Sequence, residues 1–227
     1  MNNQLPTTDI ELFVFDLDGT LAPSKLPVEP EMIEAFSSLL QKSKVAVIGG
    51  GSFELFKQQF GPILESENIN RSNLFLFPTS GSQYFRFDET NNSWQNIYEH
   101  NLTPEEKEKI ITSLNIAIEQ SGVEMPKETF GVVIEDRETQ ITFSPFGQKG
   151  PLELKKDWDK DSVKRLKIKN ILDTLIPEFE TRIGGTTSID ITKKGIDKAY
   201  GIKMMTDYLN IPVDKMFFIG DALFPGG

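Results

Sequence analysis

Four short runs of apolar residues recur along the chain. They occupy residues 12–15, 45–48, 74–77 and 216–219. Continuous runs of this length are typical of strands that are covered on both faces, as in a parallel sheet. Apolar positions at helical spacing predict a helix over 28–42 and a second one over 53–60, which Gly61 and Pro62 should stop. The resulting β-α-β-α order predicts an α/β fold with a doubly wound, Rossmann-like parallel sheet.

The middle of the chain has a different pattern. Alternation over 83–88, a polar turn and the return to Trp94 predict a β-hairpin. Thr103 has the position of an N-cap for a helix that ends at Gly122. Strands are predicted at 130–135 and 140–143, joined by a charged turn, and a further helix at 160–176. Strands and helices therefore follow an α+β order here instead of strict alternation.

The apolar strand pattern resumes at 187–191, and a helix with core spacing follows over 197–209. We therefore predict two domains, one inserted in the other. The core comprises 1–83 and 187–227, and the inserted α+β domain comprises 84–186. A chain of 227 residues is long enough for this arrangement and can bury a sizeable core.

Composition excludes several kinds of site. The chain has no cysteine and a single histidine, so a disulfide framework, a zinc–cysteine centre and a cysteine nucleophile are excluded. A net charge of −10 makes a nucleic-acid partner a poor fit, because binding there depends on neutralising phosphates. The first residues lack the basic and apolar segments of a signal peptide, and no run approaches the length of a membrane span. We predict a cytoplasmic protein without nucleic-acid or membrane partners.

The strongest chemical signal is a pair of carboxylates. Asp16 and Asp18 lie at the C-terminal end of the first predicted strand, which is where open α/β sheets bind ligands. Two like charges repel one another there, and a cation such as Mg²⁺, which prefers oxygen ligands, offsets that repulsion. Gly19 and Thr20 then supply a turn whose backbone N–H groups can meet an anion. The alternative for a bare Asp-x-Asp pair is a polar turn without a ligand.

The stretch Asp16-Leu17-Asp18-Gly19-Thr20 resembles the Asp-x-Asp-Gly-Thr motif of the haloacid dehalogenase superfamily of phosphotransferases. The resemblance implies that Asp16 is the nucleophile that forms an aspartyl-phosphate. It also implies that Asp18 is the general acid/base that protonates the leaving group and activates water. Such covalent catalysis divides one difficult displacement into two easier steps.

Three further motifs of this superfamily occur in the expected order. Ser52 follows the glycines of the second apolar run and is implied to donate to phosphate, with Gly50 and Gly51 beside it. Lys198 is implied to stabilise the nucleophile and the transferring phosphate. Asp221 ends the last apolar run and is implied to hold Mg²⁺ together with the two carboxylates of the first motif.

Similarity to the eukaryote-type phosphomannomutases, within the subgroup that has a large α+β cap, extends over nearly the whole chain. The segments that carry it are 20–25, 47–52, 134–137, 143–147, 183–190 and 220–227. The implied substrate contacts are Gly19, Thr20, Lys25, Gly50, Gly51, Arg137, Ser188 and Asp190. For Arg137 the alternative is an ion pair with Asp136 or Glu138 at an exposed turn, and for Ser188 and Asp190 it is ordinary strand-edge polarity.

One departure from the mutase pattern bears on the reaction. The family carries an arginine directly after its Ser-Pro-Ile-Gly turn, and this chain has Gln148 there. A neutral amide does not replace a guanidinium as a partner for a phosphate dianion. A mutase needs two anion sites and a phosphatase needs one. We therefore favour a Mg²⁺-dependent phosphohydrolase of a small sugar phosphate over a phosphomannomutase, and both over a sugar-phosphate-binding protein without turnover.

Two expectations concern the assembly and the end of the chain. The likeness to mutases allows a monomer or a homodimer formed through the cap. The family continues the final Pro-Gly-Gly of this sequence with Asn-Asp, whose aspartate helps to hold the metal. We therefore expect the sequence to be truncated after Gly227.

Overall fold

The computed structural model describes residues 9–23, 26–64 and 69–221. Two compact units divide the chain, one comprising Met1–Glu99 with Asp197–Gly227 and the other His100–Ile196. No helix in the described ranges is long and apolar enough to cross a membrane.

The strands follow one another in chain order with helices between them. They are β1 Leu12–Asp16, β2 Lys44–Ile48, β3 Leu74–Phe77, β4 Gln83–Asp88, β5 Ser93–Glu99, β6 Ile134–Asp136, β7 Gln140–Phe143, β8 Phe179–Gly184, β9 Ser188–Lys193 and β10 Met216–Ile219. The helices are α1 Pro30–Leu40, α2 Phe53–Leu64, α3 Pro104–Ser121, α4 Leu152–Trp158, α5 Val163–Leu175 and α6 Lys198–Leu209.

The first unit is built on a six-stranded sheet in the order β10-β1-β2-β3-β4-β5. The first four strands in that order run parallel, and β4 and β5 add in antiparallel orientation. Every residue of β3 and all of β2 after Lys44 are buried, which explains why these strands read as continuous apolar runs. The mixed α/β fold with a parallel-dominated sheet confirms the predicted fold class.

Helix α2 continues past its predicted end. It includes Pro62 and ends at Leu64. Gly61 has no Cβ and so avoids the clash that a proline ring makes with the preceding residue in a helix. Ile63 and Leu64 are buried in the core of the first unit, and their burial offsets the backbone hydrogen bond that Pro62 cannot donate.

The predicted boundaries of the inserted domain need correction. The hairpin β4–β5 forms as predicted, but it extends the sheet of the first unit, whereas the prediction gave residues from 84 onward to the insert. Strand β9 pairs with β7 and β8 in the second unit, although the prediction returned 187–191 to the core. Its apolar residues Ile189 and Ile191 alternate with polar ones, which is the pattern of a sheet with one polar face.

The second unit packs helices on a four-stranded antiparallel sheet in the order β6-β7-β9-β8. Helix α3 begins with the predicted capping box at Thr103 and ends at Gly122, whose φ of 61° is left-handed. Helix α5 lies within the predicted range 160–176, while α4 and β8 were not predicted. The core of this unit is formed by apolar residues of α3, α5 and the sheet, namely Ile110, Leu114, Ala117, Ile141, Phe143, Ile168, Leu172, Ile189 and Ile191.

One hydroxyl on the sheet of the second unit is buried without a partner. Thr181 lies opposite Ile191 of the apolar face, and its Oγ1 has no hydrogen bond within the described structure. We expect Thr181→Val to raise the free energy of unfolding by about 1 kcal/mol, because it removes an unsatisfied polar group without changing the shape. Thr192→Val is the matched control, since Thr192 Oγ1 donates to the carbonyl of Ile196 at 3.3 Å. Denaturant unfolding should show the control destabilised, and a destabilised Thr181→Val would contradict this account.

Candidate active site

Asp16 is the last residue of β1 and lies at the C-terminal edge of the parallel sheet. Its side chain is buried, with the residue 6% exposed. Oδ1 accepts a hydrogen bond from the backbone N–H of Leu17 at 2.9 Å, and Oδ2 accepts one from Nζ of Lys198 at 2.9 Å. The structure therefore brings together the predicted nucleophile and the predicted lysine, which are 182 positions apart in the sequence.

The surroundings of Asp16 act in opposite directions on its pKa. Burial is the largest influence and raises the pKa, while the charge and hydrogen bond of Lys198 and the N–H of Leu17 lower it. The carboxylate of Asp221 raises it further, and the net pKa lies above the ordinary value. Lys198 therefore offsets only part of what it costs to keep this carboxylate ionised in a buried position.

Lys198 reaches Asp16 because helix α6 approaches a neighbouring turn very closely. The helix begins at Lys198, and the Asp197 side chain caps it by accepting from the N–H of Tyr200 at 2.7 Å. A Cβ on Gly81 would lie 2.5 Å from the Cα of Gly201 in α6. A Cβ on Gly201 would overlap the side chain of Ile48. The contact requires glycine at both positions, and this close approach fixes the position of the first turn of α6.

The turn over 79–81 supports a second part of the site. Thr79 and Ser80 have left-handed φ values of 47° and 58°, a conformation that is rare for a β-branched residue such as threonine. Their N–H groups donate to the carbonyls of Gly51 and Gly49 at 2.9 and 2.8 Å. The same turn therefore holds the glycine loop after β2 and seats the helix that carries the lysine. Sequence reasoning missed this turn, although a Thr-Ser-Gly run directly after a buried strand was visible.

The glycine loop and Ser52 lie at the same sheet edge as Asp16, because Asp16 pairs in register with Ile48 at the end of β2. Ser52 directly precedes α2, and its Oγ accepts the N–H of Leu55 at 3.3 Å. The hydroxyl hydrogen of Ser52 can still donate to a ligand. Gly51 packs tightly, since a Cβ there would lie 2.9 Å from Cδ2 of Leu55. This geometry agrees with a phosphate-facing loop.

The turn after β1 carries Asp18 and Gly19. Asp18 Oδ1 accepts a hydrogen bond from Nε2 of Gln59 at 3.0 Å, and Gln59 is a buried residue of α2 that the sequence analysis did not single out. Gly19 has a φ of 84°, and a Cβ there would overlap the carboxylate of Asp221. Glycine is therefore required at this position for two reasons, the left-handed backbone and the neighbouring carboxylate of Asp221. Thr20 Oγ1 is buried without a hydrogen-bond partner in the described structure.

The residues predicted to hold Mg²⁺ fit that ion in their chemistry. Asp16, Asp18 and Asp221 offer oxygen donors, the ligands that a hard cation prefers. A cation would also offset the charge of Asp221 that raises the pKa of Asp16. Across residues 9–23, 26–64 and 69–221, however, no three acidic or histidine side chains are arranged to hold a metal ion. Metal binding by these residues remains a prediction.

The predicted substrate contacts of the insert lie on the sheet of the second unit. Arg137 is buried and forms an ion pair with Glu135 at 2.6 Å, not with Asp136 or Glu138 as the alternative assumed. Its Nη2 also donates to Oε1 of Gln148 at 3.3 Å. Lys107 forms the ion pairs with Asp136 and Glu138 instead.

Asp190 and Ser188 project from β9 on the side of the sheet opposite Ile189 and Ile191. Asp190 accepts from Oγ1 of Thr142 at 2.8 Å. The register places Glu135, Thr142 and Asp190 side by side on adjacent strands, so this side of the sheet is polar.

Lys25 lies outside the described residues, as does the segment 222–227, so the expected truncation stays a prediction.

Comparison with known proteins identifies the family. A model of the family described as eukaryotic phosphomannomutase matches residues 32–227. This chain belongs to the eukaryotic phosphomannomutase family. The phosphomannomutase of Schizosaccharomyces pombe is 28% identical over 221 residues, covering 95% of this chain and 82% of that protein. The phosphomannomutase of Saccharomyces cerevisiae is 27% identical, with the same two shares covered.

Solved structures support the same fold. An N-terminally truncated IMP-nucleotidase of Plasmodium falciparum has a TM-score of 0.65 at 18% identity, with 96% of this chain and 63% of that chain covered. This family member thus spans less than two thirds of that nucleotidase. A sugar phosphatase of haloacid dehalogenase subclass IIB has a TM-score of 0.61 at 17% identity, with 93% and 81% covered. The family match and the phosphomannomutase relatives confirm the predicted superfamily and its phosphotransferase class.

Removal of the Lys198 charge should change the pH dependence of this phosphomannomutase relative. Because Lys198 lowers the pKa of Asp16, Lys198→Met should raise that pKa further. Less of the carboxylate is then ionised at a given pH, so the acidic limb of the pH profile of phosphoryl transfer should move to higher pH. Lys203→Met, an exposed lysine on the same helix, is the control and should leave the limb in place. An unmoved limb in Lys198→Met would refute the coupling.

A methyl group at Gly201 should weaken the contact between α6 and the turn over 79–81. Gly201→Ala would place a Cβ against Cδ1 of Ile48 and close to the carbonyl of Ser80, so the buried Ile48 side chain or the helix must shift. We expect a loss of about 1–3 kcal/mol in unfolding free energy, the usual range for overpacking. If the helix shifts, phosphoryl-transfer activity should fall more steeply than stability predicts, because Lys198 moves with the helix. Lys203→Ala introduces the same residue on an exposed face of α6 and should keep full activity.

Proposed function

We propose that this family member is a Mg²⁺-dependent phosphohydrolase that acts on a small sugar phosphate through an aspartyl-phosphate on Asp16. The observation that carries the proposal is the contact between Lys198 and Asp16 at the carboxyl edge of the parallel sheet. A buried carboxylate with a raised pKa and one ammonium partner is typical of a reacting group. Ligands of open α/β sheets bind at this edge.

In the first step, a carboxylate oxygen of Asp16 attacks the phosphorus of the bound ester. The bond between phosphorus and the sugar oxygen breaks, and Asp18 donates the proton that the departing sugar oxygen requires. Lys198, the hydroxyl of Ser52 and the N–H groups of the glycine loop would stabilise the charge on the transferring phosphoryl group. Bound Mg²⁺ would supply additional positive charge beside the carboxylates and the phosphate.

In the second step, water attacks the phosphorus of the aspartyl-phosphate. Asp18, which lost its proton to the sugar, takes one from this water. The bond between phosphorus and Asp16 breaks, inorganic phosphate leaves, and both carboxyl groups return to their starting state. The net reaction consumes one ester and one water and releases one sugar and one phosphate.

The charge balance on the second unit favours hydrolysis over the mutase reaction. The positive charge of Arg137 is already matched by Glu135 at 2.6 Å, and Gln148 is neutral where the resembling mutases carry arginine. A mutase must bind a bisphosphate at two anion sites, which needs unmatched positive charge at the second site.

Family membership favours the alternative, a phosphomannomutase that interconverts mannose 6-phosphate and mannose 1-phosphate. A cytoplasmic location and a monomer or cap-mediated dimer remain predictions of the sequence.

Incubation with mannose 1-phosphate and Mg²⁺ distinguishes the two reactions. Hydrolysis predicts free phosphate and mannose with no mannose 6-phosphate at early times. Efficient formation of mannose 6-phosphate that depends on a hexose bisphosphate activator would establish the mutase and overturn the phosphohydrolase.

Asp16→Asn tests the nucleophile and the third hypothesis, binding without turnover. We expect phosphate release to fall by roughly a thousandfold or more, because an amide oxygen cannot form the acyl phosphate. Asp207→Asn, on the exposed part of α6, keeps the same change in charge and should retain activity. Metal-dependent release that survives in Asp16→Asn would show that the nucleophile is wrongly assigned, and no release from the wild type would favour the binding protein.

A further inference from the structure

A glutamine in α2 contacts the turn that carries the proposed acid/base. Gln59 is 1% exposed, and its Nε2 donates both to Oδ1 of Asp18 at 3.0 Å and to the carbonyl of Leu26 at 3.3 Å. The backbone carbonyl of Gln59 also accepts the N–H of Val28 at 3.0 Å. One residue therefore holds the segment after β1 at both ends, with its side chain on Asp18 and its backbone at Val28.

The amide of Gln59 can adopt only one orientation here. The carbonyl of Leu26 and the carboxylate of Asp18 are both acceptors, so the nitrogen of the amide must face them. Its oxygen, Oε1, is then buried and has no hydrogen-bond partner in the described structure. Gln59 thus presents a fixed pair of N–H donors toward Asp18 and Leu26.

The unsatisfied oxygen shows that this glutamine is costly for folding. A buried polar atom without a partner costs about 1–3 kcal/mol, and a methionine of the same length would avoid that cost. The neighbouring buried residues of α2 are apolar, among them Phe56, Phe60 and Ile63. A polar side chain at this position is therefore better explained by what it holds than by packing.

We propose that Gln59 is a positioning residue that orients the carboxyl group of Asp18 for proton transfer to the leaving group. This assignment rests on the proposed function, in which Asp18 is the general acid. Without the N–H of Gln59, the Asp18 side chain would lose a hydrogen bond that restricts its torsion angles. The rest of the segment would keep its support, because the bond from Val28 to the backbone of Gln59 does not depend on the side chain.

The choice of leaving group separates this role from a purely structural one. p-Nitrophenolate leaves without a proton, whereas the alkoxide of mannose 6-phosphate requires one. A correctly placed general acid contributes about 10²–10⁴-fold to such a step. We expect Gln59→Met to lower kcat/KM for mannose 6-phosphate by about 10–100-fold more than kcat/KM for p-nitrophenyl phosphate, a partial loss of that contribution. Asp18→Asn should show the same selectivity more strongly.

Two further variants complete the experiment. Gln58→Met changes the adjacent, exposed glutamine of α2 and should leave both substrates unaffected. Gln59→Glu keeps the length but replaces the donor with an acceptor, so it should lose at least as much selectivity as Gln59→Met and serves if that variant does not fold. The melting temperature of Gln58→Met should equal that of the wild type. Gln59→Met should melt near the wild type, because loss of the orphan oxygen offsets loss of the two N–H donors, whereas Gln59→Glu should melt lower, because it buries a carboxyl group against two acceptors.

Parallel losses on both substrates, or no loss on either, would overturn the assignment of Gln59 while leaving the proposed function intact. A wild type that releases phosphate from neither ester would overturn the proposed function and this assignment together. A loss confined to the sugar phosphate in Gln59→Met and Gln59→Glu, with Gln58→Met unchanged, would establish the positioning role.

Discussion

The buried charge of Asp16 is the constraint on which the candidate site depends. A carboxylate at the end of a parallel strand loses most of its hydration, and its pKa rises accordingly. One ammonium group, that of Lys198, lies 2.9 Å from it and favours its ionised form. The fold of the first unit brings Lys198, at the start of α6, to the end of β1 and holds it there.

The turn over 79–81 contacts both the glycine loop and α6. It has two left-handed non-glycine residues, donates two hydrogen bonds to the glycine loop, and contacts Gly201 of α6 through Gly81. Strain of this kind persists only where the surroundings determine the backbone fully. The loop that would face a phosphate and the helix that carries the lysine are therefore supported by one rigid element. A displacement of either would be transmitted to the other.

The sequence predicts local features of this protein better than their partners. Continuous apolar runs identified β1, β2, β3 and β10, and Thr103 and Gly122 identified both ends of α3, because these signals lie in neighbouring residues. The sheet to which β9 belongs depends on pairing with residues far along the chain, and the prediction assigned it wrongly. Gln59 was missed for the same reason, since a glutamine in a helix shows its partner, 41 positions away, only in the folded chain.

Several energetically unfavourable features of the first unit lie at the candidate site. A carboxylate with a raised pKa, two residues with positive φ, an orphan amide oxygen on Gln59 and an orphan hydroxyl on Thr20 all lie near one sheet edge. Each lowers stability, and apolar replacements would relieve several of them. Features of this kind where the strands, the glycine loop and α6 meet are expected when function, not folding, selects the residues. The extensive apolar core beneath the sheet supplies the stability that tolerates them.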